Sequence, residues 1–381
     1  MKLLDVYGKY DVTPTKAENA TVWDKEGQAY LDLYGGHAVI SIGHSHPTFV
    51  RNIQEQVSQL AFYSNAIQNP LQEELCQAIG AISGLDNYQL FMCNSGAEAN
   101  ENALKIAAVS TGRKKVLAFK NAFHGRTAAA MACTDNDKVQ SELSQPIRAD
   151  FIPMNNIHAV SKALSTEEYA AVIFEPIQGV GGLDMLSKDF LQELEKLCAE
   201  TGTFLIADEI QSGAGRTGKF FGFQMNEKSR PHVISMAKGI GNGFPVGAVL
   251  VRDDINMSKG MLGTTFGGNH LACAAVLSVV EVLQKENLME RVKQLEEEFQ
   301  RHASELKDVK VKGRGLMLGL EFPFPVAEMR KNLVFKHHIF TGAASNPNVL
   351  RILPPLTICK EDLNTFFGAI HTELEEIKTH A

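Results

Sequence analysis

The chain has 381 residues, a formal net charge of −7, 44% hydrophobic residues and 21% charged residues. This composition is typical of a globular protein with room for more than one domain, and it excludes disorder over the whole chain. The acidic balance argues against nucleic-acid binding through overall charge, and no apolar run approaches the roughly 18 residues of a membrane helix. The start lacks a secretory signal pattern and the six cysteines are scattered, so we expect a cytoplasmic protein with reduced thiols.

The N-terminal segment contains the pattern of a β-hairpin. In TVWDKEGQAYLDL, branched and aromatic residues flank a turn at Glu26-Gly27. Further on, His44 and His46 could form a metal pair, but no carboxylate or cysteine stands at ligand spacing. We therefore expect both histidines in a loop, and no metal site.

Between Pro47 and Pro245, short apolar runs alternate with longer helix-like segments such as 97–110 and 189–201. Unbroken apolar runs are typical of strands that are buried on both faces of a mostly parallel sheet. The runs are YQLFMC, KVLAF, AAVIFEP, TFLIAD, HVISMA and GAVLV. The pattern predicts an α/β domain, in which ligands bind at the carboxyl ends of the strands.

The C-terminal part has a different pattern. One or two long amphipathic helices follow residue 268, then a strand in RGLMLGLEF and a strand in VLRILPPLTI that ends at Pro354-Pro355. We predict a large domain over 48–267 and a smaller α+β domain over 268–381. Residues 1–47 are expected to contribute to the smaller domain.

The segment GAGRTGK (213–219) resembles two nucleotide-binding motifs. It matches G-x-G-x-x-G and, with its lysine, comes close to a P-loop. Phe220 stands where a P-loop needs a hydroxyl, and an aromatic stretch follows instead of a phosphate-capping helix. A nucleotide-binding module is therefore the weaker interpretation, and a glycine-rich loop beside a pocket is the stronger one.

Three strand ends carry groups that together suit one cofactor. Lys238 directly follows an apolar strand, where desolvation turns an amine into a nucleophile for carbonyl carbons. Asp208 ends a neighbouring strand and could hold a proton on a heterocyclic nitrogen. The backbone N–H groups of Ser95, Gly96 and Ala97 open a helix and suit a phosphate. Pyridoxal phosphate needs all three groups, although each residue alone also fits an ordinary loop or capping role.

Several longer stretches, in order, carry a family resemblance. They are YLDLYGGHAVISIGHSHP, SGAEANENALK, AFHGRT, EPIQGVGG, LIADEIQSGAGRTGKFF, AKGIGNGFPVGA, TTFGGNHLACAA, RGLMLGLE and VLRILPPLTI. Along essentially its whole length the chain resembles class III (ornithine-type) aminotransferases of the fold-type I pyridoxal phosphate superfamily. FHGRT and TTFGGN are most similar to the acetylornithine aminotransferase branch.

The resemblance implies pyridoxal 5'-phosphate as the cofactor and assigns its contacts by position. Lys238 would bind the cofactor's aldehyde carbon and later move a proton between the substrate and cofactor carbons. Asp208 would keep the pyridine nitrogen protonated. The remaining contacts would come from Ser95, Gly96 and Ala97 at the phosphate, Phe123 on the ring face, Gln211 at the phenolic oxygen, and Thr265, across a homodimer interface, at the phosphate.

The resemblance also implies the substrates. Arg126 and Arg351 would clamp carboxylates, because a guanidinium matches a carboxylate bidentately. Thr264 would reach the substrate in the other subunit. The expected reaction moves the δ-amino group of N2-acetyl- or N2-succinylornithine to 2-oxoglutarate, giving a semialdehyde and L-glutamate in arginine biosynthesis. Ornithine, 4-aminobutyrate and acyl-diaminopimelate remain alternative amino donors.

One position departs from the family pattern. Where the family commonly reads EPIQGEGG, this chain has Val180 in place of the second glutamate. In the family that glutamate pairs with the arginine equivalent to Arg351 while the amino donor binds. Since valine cannot mask a charge, we expect Arg351 to stay available and the site to favour a more anionic donor, such as the N-succinyl compound. SNAIQNPLQ (64–72) also differs from the common version.

Overall fold

A computed structural model describes residues 1–142, 144 and 146–380. In chain order the strands are β1 (Pro14–Glu18), β2 (Thr21–Asp24), β3 (Ala29–Asp32), β4 (Tyr88–Cys93), β5 (Lys115–Phe119), β6 (Arg148–Ile152), β7 (Tyr169–Phe174), β8 (Phe204–Asp208), β9 (Val233–Met236), β10 (Gly247–Arg252), β11 (Lys310–Arg314), β12 (Met317–Glu321), β13 (Ile339–Phe340), β14 (Gly342–Ala343) and β15 (Val349–Ile352). The helices are α1 (Gly35–Ala38), α2 (Pro47–Gln59), α3 (Pro70–Ser83), α4 (Gly96–Thr111), α5 (Ala128–Ala132), α6 (Ile157–Leu164), α7 (Lys188–Thr201), α8 (His270–Lys285), α9 (Leu288–Ala303), α10 (Ala327–Phe335) and α11 (Lys360–His380).

A seven-stranded sheet forms the centre of the fold, in the order β4-β10-β9-β8-β7-β5-β6. All of its strands are parallel except β10, which runs antiparallel to β4 and β9. Each of the six apolar runs became a strand of this sheet, which confirms the predicted α/β class. Within the central sheet, β6 is the one strand that the sequence pattern did not predict. It is an edge strand, so polar residues such as Arg148 and Asp150 face solvent along it.

Two four-stranded sheets use both ends of the chain. The first has the order β1-β2-β3-β13, so the predicted hairpin is confirmed, with Gly27 at φ +83° in its turn. The sequence pattern missed β1 on its outer side and β13, which pairs parallel with β3. The second sheet has the order β11-β12-β15-β14. The domain limits at residues 47 and 267 stay a prediction.

Helices cover the central sheet where the sequence indicated them. Helix α4 begins where the Ser95 hydroxyl caps the Glu98 N–H, and it ends at Gly112, whose φ is +69°. Helix α8 packs on α2 and α3. Among the helices of the described residues, none combines the length and apolarity needed to cross a membrane.

Candidate active site

The predicted cofactor residues lie at one edge of the central sheet. Asp208 is the last residue of β8, Lys238 follows β9, and Ser95 follows β4. Because these three strands are mutually parallel, their carboxyl ends share an edge. The fold therefore brings together groups that are up to 143 residues apart in the chain.

Asp208 is buried in a network of polar side chains. Its Oδ2 accepts hydrogen bonds from His124 Nδ1 at 2.7 Å and Asn100 Nδ2 at 2.8 Å. Its Oδ1 accepts from the Ile210 N–H at 3.0 Å. Ser235 in turn donates to Asn100 Oδ1 at 2.6 Å. The carboxylate is thus held in one orientation by residues from three elements, and sequence reasoning missed its polar partners.

Lys238 has the features of a reactive amine. In the described part of the chain its side chain makes no hydrogen bond or ion pair, and its backbone is left-handed with φ +46°. Burial lowers the pKa of its amine, Arg351 lowers it further, and Asp208 and Glu175 act in the opposite direction. A lowered pKa increases the fraction of neutral amine, which is the nucleophilic form.

The first turn of α4 offers an anion site beside these groups. The N–H groups of Gly96 and Ala97 have no acceptor among the described residues, and the helix dipole makes this end positive. A Cβ on Gly96 would come within 2.9 Å of the Ile210 side chain. Glycine is thus needed here so that the segment after Asp208 can pack against the helix start.

Phe123 and Arg126 lie on the loop that precedes α5. The Phe123 N–H donates to Glu175 Oε1 at 3.0 Å, and the buried Glu175 also accepts from the Gly179 N–H at 2.8 Å. Burial raises the pKa of Glu175. The guanidinium carbon of Arg126 lies 5.9 Å from the centre of the Phe123 ring, and the arginine is exposed. Phe123 is therefore fixed through its backbone, while Arg126 remains open to ligands.

Gln211 connects two other predicted site residues. Its Oε1 accepts from Arg351 Nη1 at 3.4 Å, and its Nε2 donates to the His37 carbonyl at 3.3 Å. A Cβ on Gly179 would stand 2.1 Å from Gln211 Oε1. The glycine of the IQG motif is therefore what allows Gln211 to reach Arg351.

Arg351 is buried, with 3% of its surface exposed. Its Nη1 donates to the Gly179 carbonyl at 2.6 Å and its Nε to the Ala343 carbonyl at 2.5 Å. No ion pair in the described part of the chain includes it, and the neighbouring Val180 is only half-buried. Carbonyl dipoles hold the guanidinium in place without neutralising its charge.

His37 is a further residue of this site that sequence reasoning missed. Four consecutive residues, Gly35–Ala38, have positive φ angles, which is costly for histidine and alanine. Burial lowers the pKa of His37 to about 4, and the nearby cations Arg351, Lys238 and Arg126 add to this effect. The paired glycines in LYGGH were a signal for an unusual turn, but not for its position beside three cations.

Thr264 and Thr265 lie on the segment that precedes α8, and Thr264 contacts Asn94 just before α4. Thr264 Oγ1 accepts from Asn94 Nδ2 at 3.3 Å and from the Gly267 N–H at 3.0 Å, and Thr265 is exposed. Within the described ranges, no hydrogen bond or ion pair links either threonine to Lys238.

The two weaker motif interpretations find no support in the structure. The element after GAGRTGK is a 3-10 helix at Gly222–Met225, not a helix that could cap a phosphate. His44 Nε2 bonds Asp32 at 2.8 Å and His46 Nε2 bonds Glu286 at 2.9 Å. A search of the described residues for three or more clustered metal ligands finds none.

Comparisons with known proteins point to one family. The family model described as aminotransferase class III matches residues 6–374. The chain is 38% identical to the acetylornithine aminotransferase of Methanosarcina mazei, over 95% of this chain and 92% of that protein. The acetylornithine aminotransferase of Bacillus subtilis is 39% identical over 95% and 94%. A solved structure of the ornithine aminotransferase of Toxoplasma gondii, with pyridoxal phosphate partly occupying its active site, superposes with a TM-score of 0.90 at 28% identity, covering 99% of this chain and 93% of that one.

The fold and these similarities define a pyridoxal phosphate-dependent transferase of fold type I. The chain belongs to the class III aminotransferase family. The donor set fits the cofactor: within the described part of the chain, the Lys238 amine has no partner and can meet an aldehyde, and the N–H groups of Gly96 and Ala97 have no acceptor and can meet a phosphate.

Proposed function

We propose that this aminotransferase moves the δ-amino group of an N2-acylornithine to 2-oxoglutarate, in arginine biosynthesis. The observation that carries the proposal is the nearly full-length similarity to acetylornithine aminotransferases. We place the reaction in the cytoplasm, and the six free cysteines fit a reducing compartment.

Lys238 and Asp208 are proposed as the catalytic pair. Pyridoxal phosphate, when bound, supplies an aldehyde that takes up the amino group and a ring that accepts electrons. Lys238 would hold the cofactor through Nζ at the aldehyde carbon, and the same amine would be the group that gives a proton to, and takes one from, the carbon that bears the amino group. Asp208, oriented by His124 and Asn100, would hold a proton on the ring nitrogen. The lowered pKa of Lys238 supports this assignment.

The other cofactor contacts follow from the same geometry. We assign the phosphate to Ser95, Gly96 and Ala97 because the helix start is positive and has free N–H groups. We assign the ring face to Phe123, whose backbone is fixed by Glu175. Gln211 is assigned to the phenolic oxygen.

Two arginines are proposed to bind the substrate carboxylates. Arg126 is exposed, and Arg351 is buried. His37 is uncharged at neutral pH because its pKa is lowered to about 4. It therefore does not add to the charge that Arg126 and Arg351 present, and it can accept or donate a hydrogen bond.

The acyl group of the donor is proposed to be anionic. Among the described residues, the hydrogen-bond acceptors of Arg351 are uncharged carbonyl oxygens of Gly179, Ala343 and Gln211, and Val180 brings no carboxylate to it. A guanidinium that is buried without a counter-charge favours a ligand that supplies one. This arrangement supports N-succinylornithine over N-acetylornithine as the donor.

We propose a homodimer in which Thr264 and Thr265 complete the site of the other subunit. Next to these threonines lies an apolar surface, which we call the Phe266 patch. Its side chains are between 40% and 60% exposed, and the rings of Phe62 and Phe266 are 5.5 Å apart. The patch comprises Phe62, Tyr63, Ile67 and Phe266. An exposed cluster of this kind is typical of a protein interface.

A panel of amino donors tests the proposed reaction. The purified holoenzyme is mixed with N-acetylornithine, N-succinylornithine, ornithine, 4-aminobutyrate or N-succinyl-diaminopimelate, and the absorbance change of the bound cofactor is followed. We expect the highest kcat/KM with N-succinylornithine, followed by recovery of the starting spectrum on addition of 2-oxoglutarate. Preference for ornithine or 4-aminobutyrate would overturn the acylornithine proposal, and preference for the acetyl compound would overturn only the anionic donor.

A lysine variant provides the control. Lys238→Ala should bind the cofactor without the long-wavelength absorbance of its covalent adduct and should show no turnover with any donor. Lys219→Ala, a change of an exposed lysine that is paired with Glu227, should behave as the wild type.

A further inference from the structure

Arg216, in the GAGRTGK segment, is the largest fully buried side chain of the described residues. It is 2% exposed, and none of the ion pairs in the described ranges includes it. Burial lowers its pKa to about 9, and the field of Asp32 acts in the opposite direction. A cation buried without an ion-pair partner costs folding free energy, so its acceptors indicate what the residue does.

Among the described residues, the acceptors of the Arg216 guanidinium are all backbone carbonyls. Nη1 donates to the carbonyls of Leu316, at 3.2 Å, and Pro354, and Nη2 donates to the Ile40 carbonyl at 3.4 Å. The Leu316 N–H returns a hydrogen bond to the Arg216 carbonyl at 2.9 Å. One side chain thus connects three segments that are far apart in the sequence.

Two of these segments carry residues of the proposed site. Pro354 is three residues after Arg351, and Ile40 is three residues after His37. Arg216 itself is eight residues after Asp208, on the same loop as Gln211. The rigid, planar guanidinium of Arg216 therefore joins the loop after β8 to the two segments that carry His37 and Arg351.

The loop that carries Arg216 is also fixed to the end of β8, through Glu209. Glu209 is 1% exposed, and it accepts from the N–H groups of Gly222 at 2.8 Å and Phe223 at 2.7 Å. Ser212 donates to the same carboxylate at 2.7 Å. Because the loop cannot move freely against β8, a shift at Arg216 would be transmitted to the segments it bonds.

We propose that Arg216 is a positioning residue for substrate carboxylate binding: it sets where β15, and with it Arg351, stands relative to Asp208 and Gln211. This inference rests on the proposed role of Arg351 in binding substrate carboxylates, which include those of 2-oxoglutarate. It assigns a task to GAGRTGK that needs no nucleotide, since the arginine binds backbone carbonyls and not a phosphate.

A double-mutant cycle tests the proposal. Arg216→Met, Arg351→Met and the double variant are compared with the wild type in the reaction of the pyridoxamine form with 2-oxoglutarate. We expect Arg216→Met to reduce kcat/KM by about 100-fold, mainly through KM, because a small displacement of a binding group has an effect of this size. The absorbance spectrum of the bound cofactor should not change. In the Arg351→Met background the same substitution should cost less than about threefold.

Arg216→Lys and Arg113→Met serve as comparisons. The lysine variant keeps the charge and loses the fork, so we expect partial recovery of KM; it also replaces the methionine variant in the cycle if that variant does not fold. Arg113 likewise donates to backbone carbonyls, those of Tyr169 at 3.2 Å and Thr201 at 2.8 Å, away from the site. Its replacement should leave KM unchanged.

The possible outcomes separate this inference from the proposed function. Additive effects of the two substitutions, or a lower kcat with unchanged KM, would show that Arg216 only supports the fold and would overturn the inference. If Arg351→Met itself leaves KM for 2-oxoglutarate unchanged, then the proposed role of Arg351 fails, and this inference fails with it.

Discussion

Asp208 Oδ2 lies 2.7 Å from His124 Nδ1, in a pocket where both side chains are almost fully buried. His124 Nε2 has no hydrogen-bond partner among the described residues. The hydrogen bond from His124 therefore orients the Asp208 carboxylate. Asn100, bonded to the same oxygen, restricts it further.

We predict that Asp208→Asn lowers kcat by about 100- to 1,000-fold, because a fixed charge that stabilises developing charge in the transition state is lost. Asp150→Asn serves as the control: its carboxylate also accepts a hydrogen bond, from Tyr169 at 2.6 Å, on the edge of the sheet. Single-turnover kinetics of the amino-donor half-reaction measure the effect. Wild-type rates in Asp208→Asn would contradict the assignment of the ring-nitrogen partner.

We predict that Val180→Glu changes donor selectivity. A carboxylate beside Arg351 would compete with an anionic acyl group, so kcat/KM for N-succinylornithine should fall about tenfold relative to N-acetylornithine. Val180→Gln has the same length without the charge and should change the ratio less than threefold. An unchanged ratio in Val180→Glu would mean that Arg351 does not sense the acyl group.

We predict that Glu209 makes stability depend on pH. Burial raises the pKa of this carboxyl to about 7, above its ordinary value of 4.5. The folded state therefore binds the Glu209 proton more tightly than the unfolded state does. This proton binding stabilises the folded state fully below about pH 4.5, and the stabilisation is lost as the pH rises through 7.

Urea unfolding between pH 5 and pH 8.5 measures this effect. The free energy of unfolding of the wild type should fall relative to Glu209→Gln by about 1 to 3 kcal/mol as pH rises. Glu195→Gln is a matched control, because Glu195 also accepts from a serine, Ser229, and from a backbone N–H. A constant difference between wild type and Glu209→Gln would contradict the raised pKa.

We predict that Phe266→Asp dissociates the proposed homodimer. A charge placed at the centre of the Phe266 patch should weaken association by about 100-fold or more, as expected for a central aromatic anchor. Activity should fall in parallel, because Thr264 and Thr265 would no longer reach the other site. Sedimentation velocity measures the mass. Phe335→Asp, at a phenylalanine that is 44% exposed, is the control, and a monomeric wild type would refute the prediction at once.

The central sheet could be predicted because its signal is local. A strand buried on both faces must be apolar along its length, so AAVIFEP and TFLIAD were recognisable without tertiary information. The exposed edge strand β6 has no such constraint, and its mixed sequence concealed it. The short strand β13 exists only because β3 offers an edge to pair with.

The sequence by itself determined the α/β class, the family resemblance and the positions of Lys238 and Asp208, because strand patterns and contiguous motifs are local properties of the chain. Only the tertiary structure decided that His124 orients Asp208, that His37 lies among three cations, and that backbone carbonyls hold Arg351 and Arg216. Among these hydrogen bonds the largest separation is 176 positions, between Arg216 and the Ile40 carbonyl. A carbonyl acceptor belongs to every residue and leaves no trace in the sequence, so these partners become visible only when the chain is folded.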